Sequence, residues 1–169
     1  MYAAAVYIIF PLAMIYAIVS DAVTMKIANR VSVGLAVAFV PLALIGGMPL
    51  ADIGMHLVAG LVLLAATFCL FSFGVMGGGD AKLIAATAIW FGWNIVLVHY
   101  ILTASMIGGG FTLALLMFRH SPLAGYAATF PMLRHLSDQQ KGIPYGIALG
   151  IAGLLLFPDS PLFKLATAG

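Results

Sequence analysis

The sequence predicts an all-α polytopic membrane protein of about six transmembrane helices with its N-terminus outside, a single unit over residues 1–169. Three observations predict it. The chain is 64% hydrophobic and only 7% charged, with a mean hydropathy of +1.17, far from any soluble globular composition. Its apolar runs approach the ~20 residues that cross a hydrocarbon layer. Its basic residues divide unequally between alternate connections, Lys26, Arg30, Lys82, Arg119, Arg134 and Lys141 on one side and Lys164 alone on the other. The positive-inside rule turns that asymmetry into an orientation, with the six facing the cytoplasm.

Spans are expected at 3–20, 31–48, 55–74, 81–92, 95–118 and 143–158. The first run, Met1 to Ser20, has no Lys or Arg ahead of it, so it lacks the basic start of a cleavable signal and is expected to be a retained span. The stretch from 81 to 118 is one long apolar run, divided at Phe91-Gly92-Trp93-Asn94. There two tryptophans, Trp90 and Trp93, with a glycine and an asparagine, indicate an interfacial turn. The fourth span is consequently short, which is tolerable if it starts inside the protein and not at the lipid headgroups. Arg119 to Gly142 is the longest polar stretch, yet it holds Leu123, Tyr126, Phe130, Met132, Leu133 and Leu136 and is interrupted by Pro122 and Pro131. It is expected to form an interfacial flap on the cytoplasmic leaflet.

The chain has five aspartates and no glutamate, so nearly every acid can be weighed individually. Asp52 and Asp159 map to the outer face, where they are expected to be solvated. Asp21 and Asp80 both map to the cytoplasmic face, at the edges of apolar runs. A carboxylate beside or within a membrane is costly, which makes each a functional candidate. Two carboxylates close together cannot both ionise cheaply, and a site that shares one proton can serve as general base and general acid at once. Asp80 follows Gly77-Gly78-Gly79, whose missing Cβ atoms allow close approach of another strand. Lys82 is placed either to bias the potential at Asp80 or to act as a cytoplasmic anchor.

Other chemistries find little support. A net charge of +2 does not suggest a nucleic-acid partner. The single cysteine, Cys69, can form neither an internal disulfide nor a cysteine-rich zinc site and is expected to be a packing residue. His56, His99, His120 and His135 show no ligand spacing, so no metal and no cofactor are expected. Neither Ser72 nor Ser105 has a histidine at a suggestive position. Gly108, Gly109 and Gly110, and Gly146 with Gly150, are small residues suited to close helix packing.

Met76-Gly77-Gly78-Gly79-Asp80-Ala81-Lys82-Leu83 resembles the Gly-x-Gly-Asp signature of the type IV prepilin peptidase family of intramembrane aspartyl proteases. Asp21 with Ile27-Ala28-Asn29 is similar to the family's first aspartate and the Ile-Pro-Asn that follows it, with alanine replacing proline. Lys141-Gly142-Ile143-Pro144-Tyr145-Gly146 resembles the last-span signature. The resemblance implies an aspartic endopeptidase of the bacterial inner membrane, with Asp21 and Asp80 catalytic and Gly77, Gly78, Gly79 and Lys82 forming an active-site loop. Asn29, Pro144, Tyr145 and Gly146 would support substrate or structure. Implied partners are prepilin and pseudopilin substrates with basic leaders, membrane lipid and pilus assembly machinery. Larger members carry a cytoplasmic insertion with paired cysteine motifs after the first span, associated with N-methylation. With only about ten residues there, this chain looks like the compact, peptidase-only enzymes of the tight-adherence (Flp) pilus systems. A small transporter or proton-conducting protein using Asp21 and Asp80 as ion sites is the alternative.

Overall fold

The computed structural model describes residues 2–122 and 142–168, and these are helical apart from short connections. Six helices alternate in direction: α1 (Tyr2–Thr24), α2 (Asn29–Ile45), α3 (Leu50–Ser72), α4 (Gly78–Phe91), α5 (Ile95–Arg119) and α6 (Tyr145–Leu156). A 3-10 turn, Phe157–Asp159, leads into a final short helix, α7 (Pro161–Ala168). The expected flap at Arg119 to Gly142 lies outside the described residues over 123–141.

Length separates the helices into two classes. α1, α3 and α5, of 23, 23 and 25 residues, are long and apolar enough to cross a membrane, and α6 with α7 adds a fourth crossing if this pair, bent by 41°, is one span. α2 has 17 residues and α4 only 14, which at 1.5 Å per residue gives roughly 25 and 21 Å, short of a ~30 Å core. The shortness of α4 is explained by its surroundings. It packs against α3, α2, α6, α7 and α5 and buries Ala81, Leu83–Ala88, Trp90 and Phe91. A helix apolar on every side is a central helix, and one sheathed by protein need not reach both headgroup layers.

The α4–α5 turn is where it was expected, with one correction. Gly92 adopts φ 71°, and the Asn94 side chain accepts from the Val96 N–H at 2.8 Å, capping α5. Trp93 is exposed, but Trp90 is fully buried and donates its indole N–H to the Leu35 carbonyl at 2.9 Å. A buried indole needs such a partner, so Trp90 is a core residue tying α4 to α2 and not an interfacial anchor. Around it Phe10, Phe39, Phe91 and Phe157 pack as an aromatic cluster, with Phe10 stacked on Phe157 at 4.6 Å.

Three further expectations need correcting. Cys69 is exposed on the outside of α3 and packs no core. Of the glycine triplet in α5, only Gly108 supports close packing, against Tyr145, while Gly109 and Gly110 face open space. α7 lies beyond the last expected span, although Ser160-Pro161 carries its start signal: the Ser160 hydroxyl accepts from the Phe163 N–H at 3.3 Å, and proline stands at the first helical position.

Candidate active site

At one end of the bundle, the end of α1, the start of α4, the end of α5 and the approach to α6 enclose a cavity of about 1200 Å³. Asp21, Gly77, Gly78, Gly79, Asp80, Arg119, Gly142 and Tyr145 are among its lining residues. The two acids singled out in the sequence thus share one cavity, and each carboxylate lies within electrostatic range of the other.

Asp21 reaches this position by helical register. The buried stripe of α1 runs Val6, Phe10, Met14, Ala17, Asp21, in steps of four and three, so the carboxylate occupies the next core position after a run of apolar ones. It is only 4% exposed. Its charge is met by the start of α6: the Gly146 N–H donates to Asp21 Oδ2 at 2.7 Å, and the Ile147 N–H also faces the carboxylate. The first N–H groups of a helix have no partner within it and lie at the positive end of its dipole, so they suit an anion. The glycine is required here, since a Cβ at 146 would stand 2.8 Å from Asp21 Oδ2 and 2.7 Å from Ile27 Cδ1.

Asp80 is the third residue of α4, and its carboxylate accepts from the Gly77 N–H, the N-cap residue of the same helix. This is the return half of a capping box. The glycine stretch is therefore filled by the protein itself. A Cβ at Gly77 would meet Asp80 Oδ2 at 2.8 Å, one at Gly78 would meet the Phe71 ring at 3.3 Å, and one at Gly79 would meet Ile27 Cβ at 3.2 Å. Ile27, in the α1–α2 connection, touches both Gly79 and Gly146 and so holds the starts of α4 and α6 together.

The remaining candidates divide. Lys82 turns away from the acids and donates from Nζ to Asn29 Oδ1 at 2.9 Å on an exposed surface. Neither residue lines the cavity, and the pair ties α4 to α2. Pro144 is fully buried. Tyr145 lies half exposed in the cavity wall, and its hydroxyl accepts from Thr112 at 3.4 Å.

Arg119 also lines the cavity, although in the sequence it reads only as a charge at a span end. It ends the buried stripe of α5, after Leu97, Tyr100, Ala104, Gly108 and Leu115, and that spacing was readable in the sequence. It is 7% exposed and donates from Nη2 to the Gly142 carbonyl at 3.0 Å. Among the described residues no three His, Cys, Asp or Glu side chains gather as a metal site. His56 is buried instead at the far end, its Nδ1 donating to the Ile89 carbonyl at 2.7 Å.

Comparison with known proteins gives this geometry a family. Two curated prepilin leader peptidase/N-methyltransferases of Aeromonas salmonicida, one from strain A449, are each 32% identical to the chain over 124 residues. Those alignments cover 69% of this chain but only 37% of each relative, so the chain spans well under half of the proteins it matches. No solved structure matches significantly. The model of the type IV leader peptidase family matches residues 8–113, which include Asp21, Asn29, Gly77–Asp80 and Lys82 and stop short of Arg119 and Gly142–Gly146. Covering more than half of the sequence, that match shows that the chain belongs to the type IV leader peptidase family.

Proposed function

We propose that the protein is an aspartyl endopeptidase of the bacterial inner membrane that removes the basic leader of prepilins and pseudopilins at the cytoplasmic face. The single observation that carries this is the pair of carboxylates, Asp21 and Asp80, brought from different helices into one cavity of a chain of this family. In the reaction one carboxylate takes a proton from a water as its oxygen attacks the scissile carbonyl carbon. The other, protonated, donates to the carbonyl oxygen. Collapse of the tetrahedral adduct breaks the C–N bond: the carboxyl that took the water's proton passes it to the leaving amine, and the other recovers its proton from the adduct's hydroxyl. The two acids titrate as a pair, so the shared proton belongs to both.

Flp-type prepilins are the proposed substrates, reached through the resemblance to compact peptidases. The α1–α2 connection supports a peptidase-only unit: only Met25–Ala28 separate the two helices, too few residues for a methyl-transfer module. The orientation proposed from the basic residues agrees with this site, because Lys26, Arg30, Lys82 and Arg119 lie at the cavity end and Lys164 at the other. An ion carrier would need its acids accessible from both faces in turn, whereas both line a cavity at one end.

Asp21→Asn and Asp80→Asn change little volume but remove a proton-transfer partner. Each is expected to lower prepilin cleavage in membranes by about 10³-fold or more while the protein remains inserted. Full processing by either variant would sink the dyad. Cleavage is expected to survive chelators, and loss restored by zinc would instead move the chemistry to the histidines.

A further inference from the structure

Arg119 is the one buried cation in the cavity wall among the described residues, and its position has a consequence for Asp21. Lys26, Arg30 and Lys82, at the same end of the bundle, are exposed, as charges that merely orient a membrane protein are. Arg119 instead occupies an inward position of α5, where a guanidinium is expensive to keep and tends to hold carbonyls or carboxylates in fixed geometry. Its Nη2 grips the Gly142 carbonyl at 3.0 Å. Gly142 opens the short segment through Ile143 and the fully buried Pro144 to the start of α6. Four residues after Gly142, the Gly146 N–H meets Asp21 Oδ2 at 2.7 Å.

We propose that Arg119 is a positioning residue for Asp21: by fixing the Gly142 carbonyl it sets where α6 begins, and so where the N–H groups that cradle the carboxylate stand. Arg119 need not touch substrate to do this. A displacement of about 1 Å at a reacting group is enough to cost ~10²-fold in rate. The inference rests on the peptidase reading for its kinetic readout, but not for its structural one.

The test compares two variants of the full chain in membranes. Arg119→Lys keeps a donor able to reach the carbonyl, and Arg119→Met keeps most of the length without one. Prepilin cleavage is expected to lose about 10²-fold in kcat in Arg119→Met with KM within about twofold, while Arg119→Lys stays within about fivefold of the unmodified chain. Hydrogen exchange at the Gly146 and Ile147 amides is expected to quicken in Arg119→Met and to stay slow in Arg119→Lys. A rise in KM with kcat kept would overturn the proposal in favour of direct substrate contact. Equal activity of both variants, or unchanged exchange in Arg119→Met, would also overturn it. If the unmodified chain cleaves no prepilin, the peptidase reading fails, and the exchange comparison still decides the role of Arg119.

Discussion

At one end of the bundle Asp21 is buried and accepts a backbone N–H, and Asp80 accepts another at the start of α4. At the opposite end Asp52 and Asp159 are exposed, and Asp159 pairs with the exposed Lys164, 4.0 Å away. Both ends hold a cavity, a glycine-marked turn and acidic residues. They differ in what meets the helix starts. At the first cavity the starts of α4 and α6 present N–H groups to the Asp80 and Asp21 carboxylates, whereas at the far end the starts of α5 and α7 are capped by the Asn94 and Ser160 side chains, and the buried His56 and Trp90 donate to carbonyls and close the core. Helix starts favour anions and carbonyls favour donors. The same up-and-down topology thus sets helix starts against carboxylates at one end and against neutral caps at the other.

The largest test of that contrast substitutes these four of the five aspartates in parallel. Asp21→Asn and Asp80→Asn are expected to lose about 10³-fold in cleavage, while Asp52→Asn and Asp159→Asn stay within about twofold. A comparable loss at Asp52 would mean that the far end takes part in the chemistry.

A sharper test uses one glycine from each end. Gly146→Ala places a methyl 2.8 Å from Asp21 Oδ2 and is expected to lower kcat by about 10²-fold. Gly92→Ala, at φ 71° and with His56 Nε2 2.5 Å from the new Cβ, is expected to cost about 2–4 kcal/mol of stability, with the surviving folded fraction retaining its kcat. Thermal unfolding alongside kinetics separates the two, and a lowered kcat in folded Gly92→Ala would break the distinction.

Smaller effects are expected where charges are exposed at either end. Lys82→Met, which removes the tie to Asn29, is expected to change cleavage by less than about threefold. Lys164→Ala is expected to shift stability by no more than about 0.5 kcal/mol and cleavage not at all, since exposed ion pairs are weak. A loss above tenfold in Lys82→Met would return that lysine to the neighbourhood of Asp80.

What was readable in the sequence follows from range. Local signals worked for helix positions: apolar runs marked α1 to α6, although only three of these, or four with the bent pair, are long enough to cross a membrane, and Gly92 with Asn94 marked the turn into α5. The placement of Asp21 and Asp80 at one end followed from counting spans, which needs only alternation. Contacts across the chain were hidden, among them Lys82 with Asn29, 53 residues apart, and Asp21 with Gly146, 125 apart. Other misses were legible but explained away. Arg119 fits the inward register of α5, yet a basic residue at a span end already had a topological explanation. Trp90 reads as interfacial because Trp93 stands beside it, although Trp90 lies inside the last turn of α4 and is buried, while Trp93 lies beyond the helix end and is exposed.

Ile27 also limits how this chain can lengthen. Its side chain is wedged between Gly79 and Gly146, and the preceding Lys26 carbonyl is held by the Ser20 hydroxyl at 2.8 Å. One residue earlier the Met25 N–H is bonded to the Asp21 carbonyl at 2.9 Å, and Met25 itself turns the backbone with φ 55°. Extra sequence between the first two helices would have one point of entry, at Met25. It would have to leave and return there without disturbing Ile27, much as a loop added to a hinge pin must pass outside the barrel. A flexible Gly-Ser stretch inserted after Met25 is expected to be tolerated, and the same stretch placed after Ile27 would part the starts of α4 and α6.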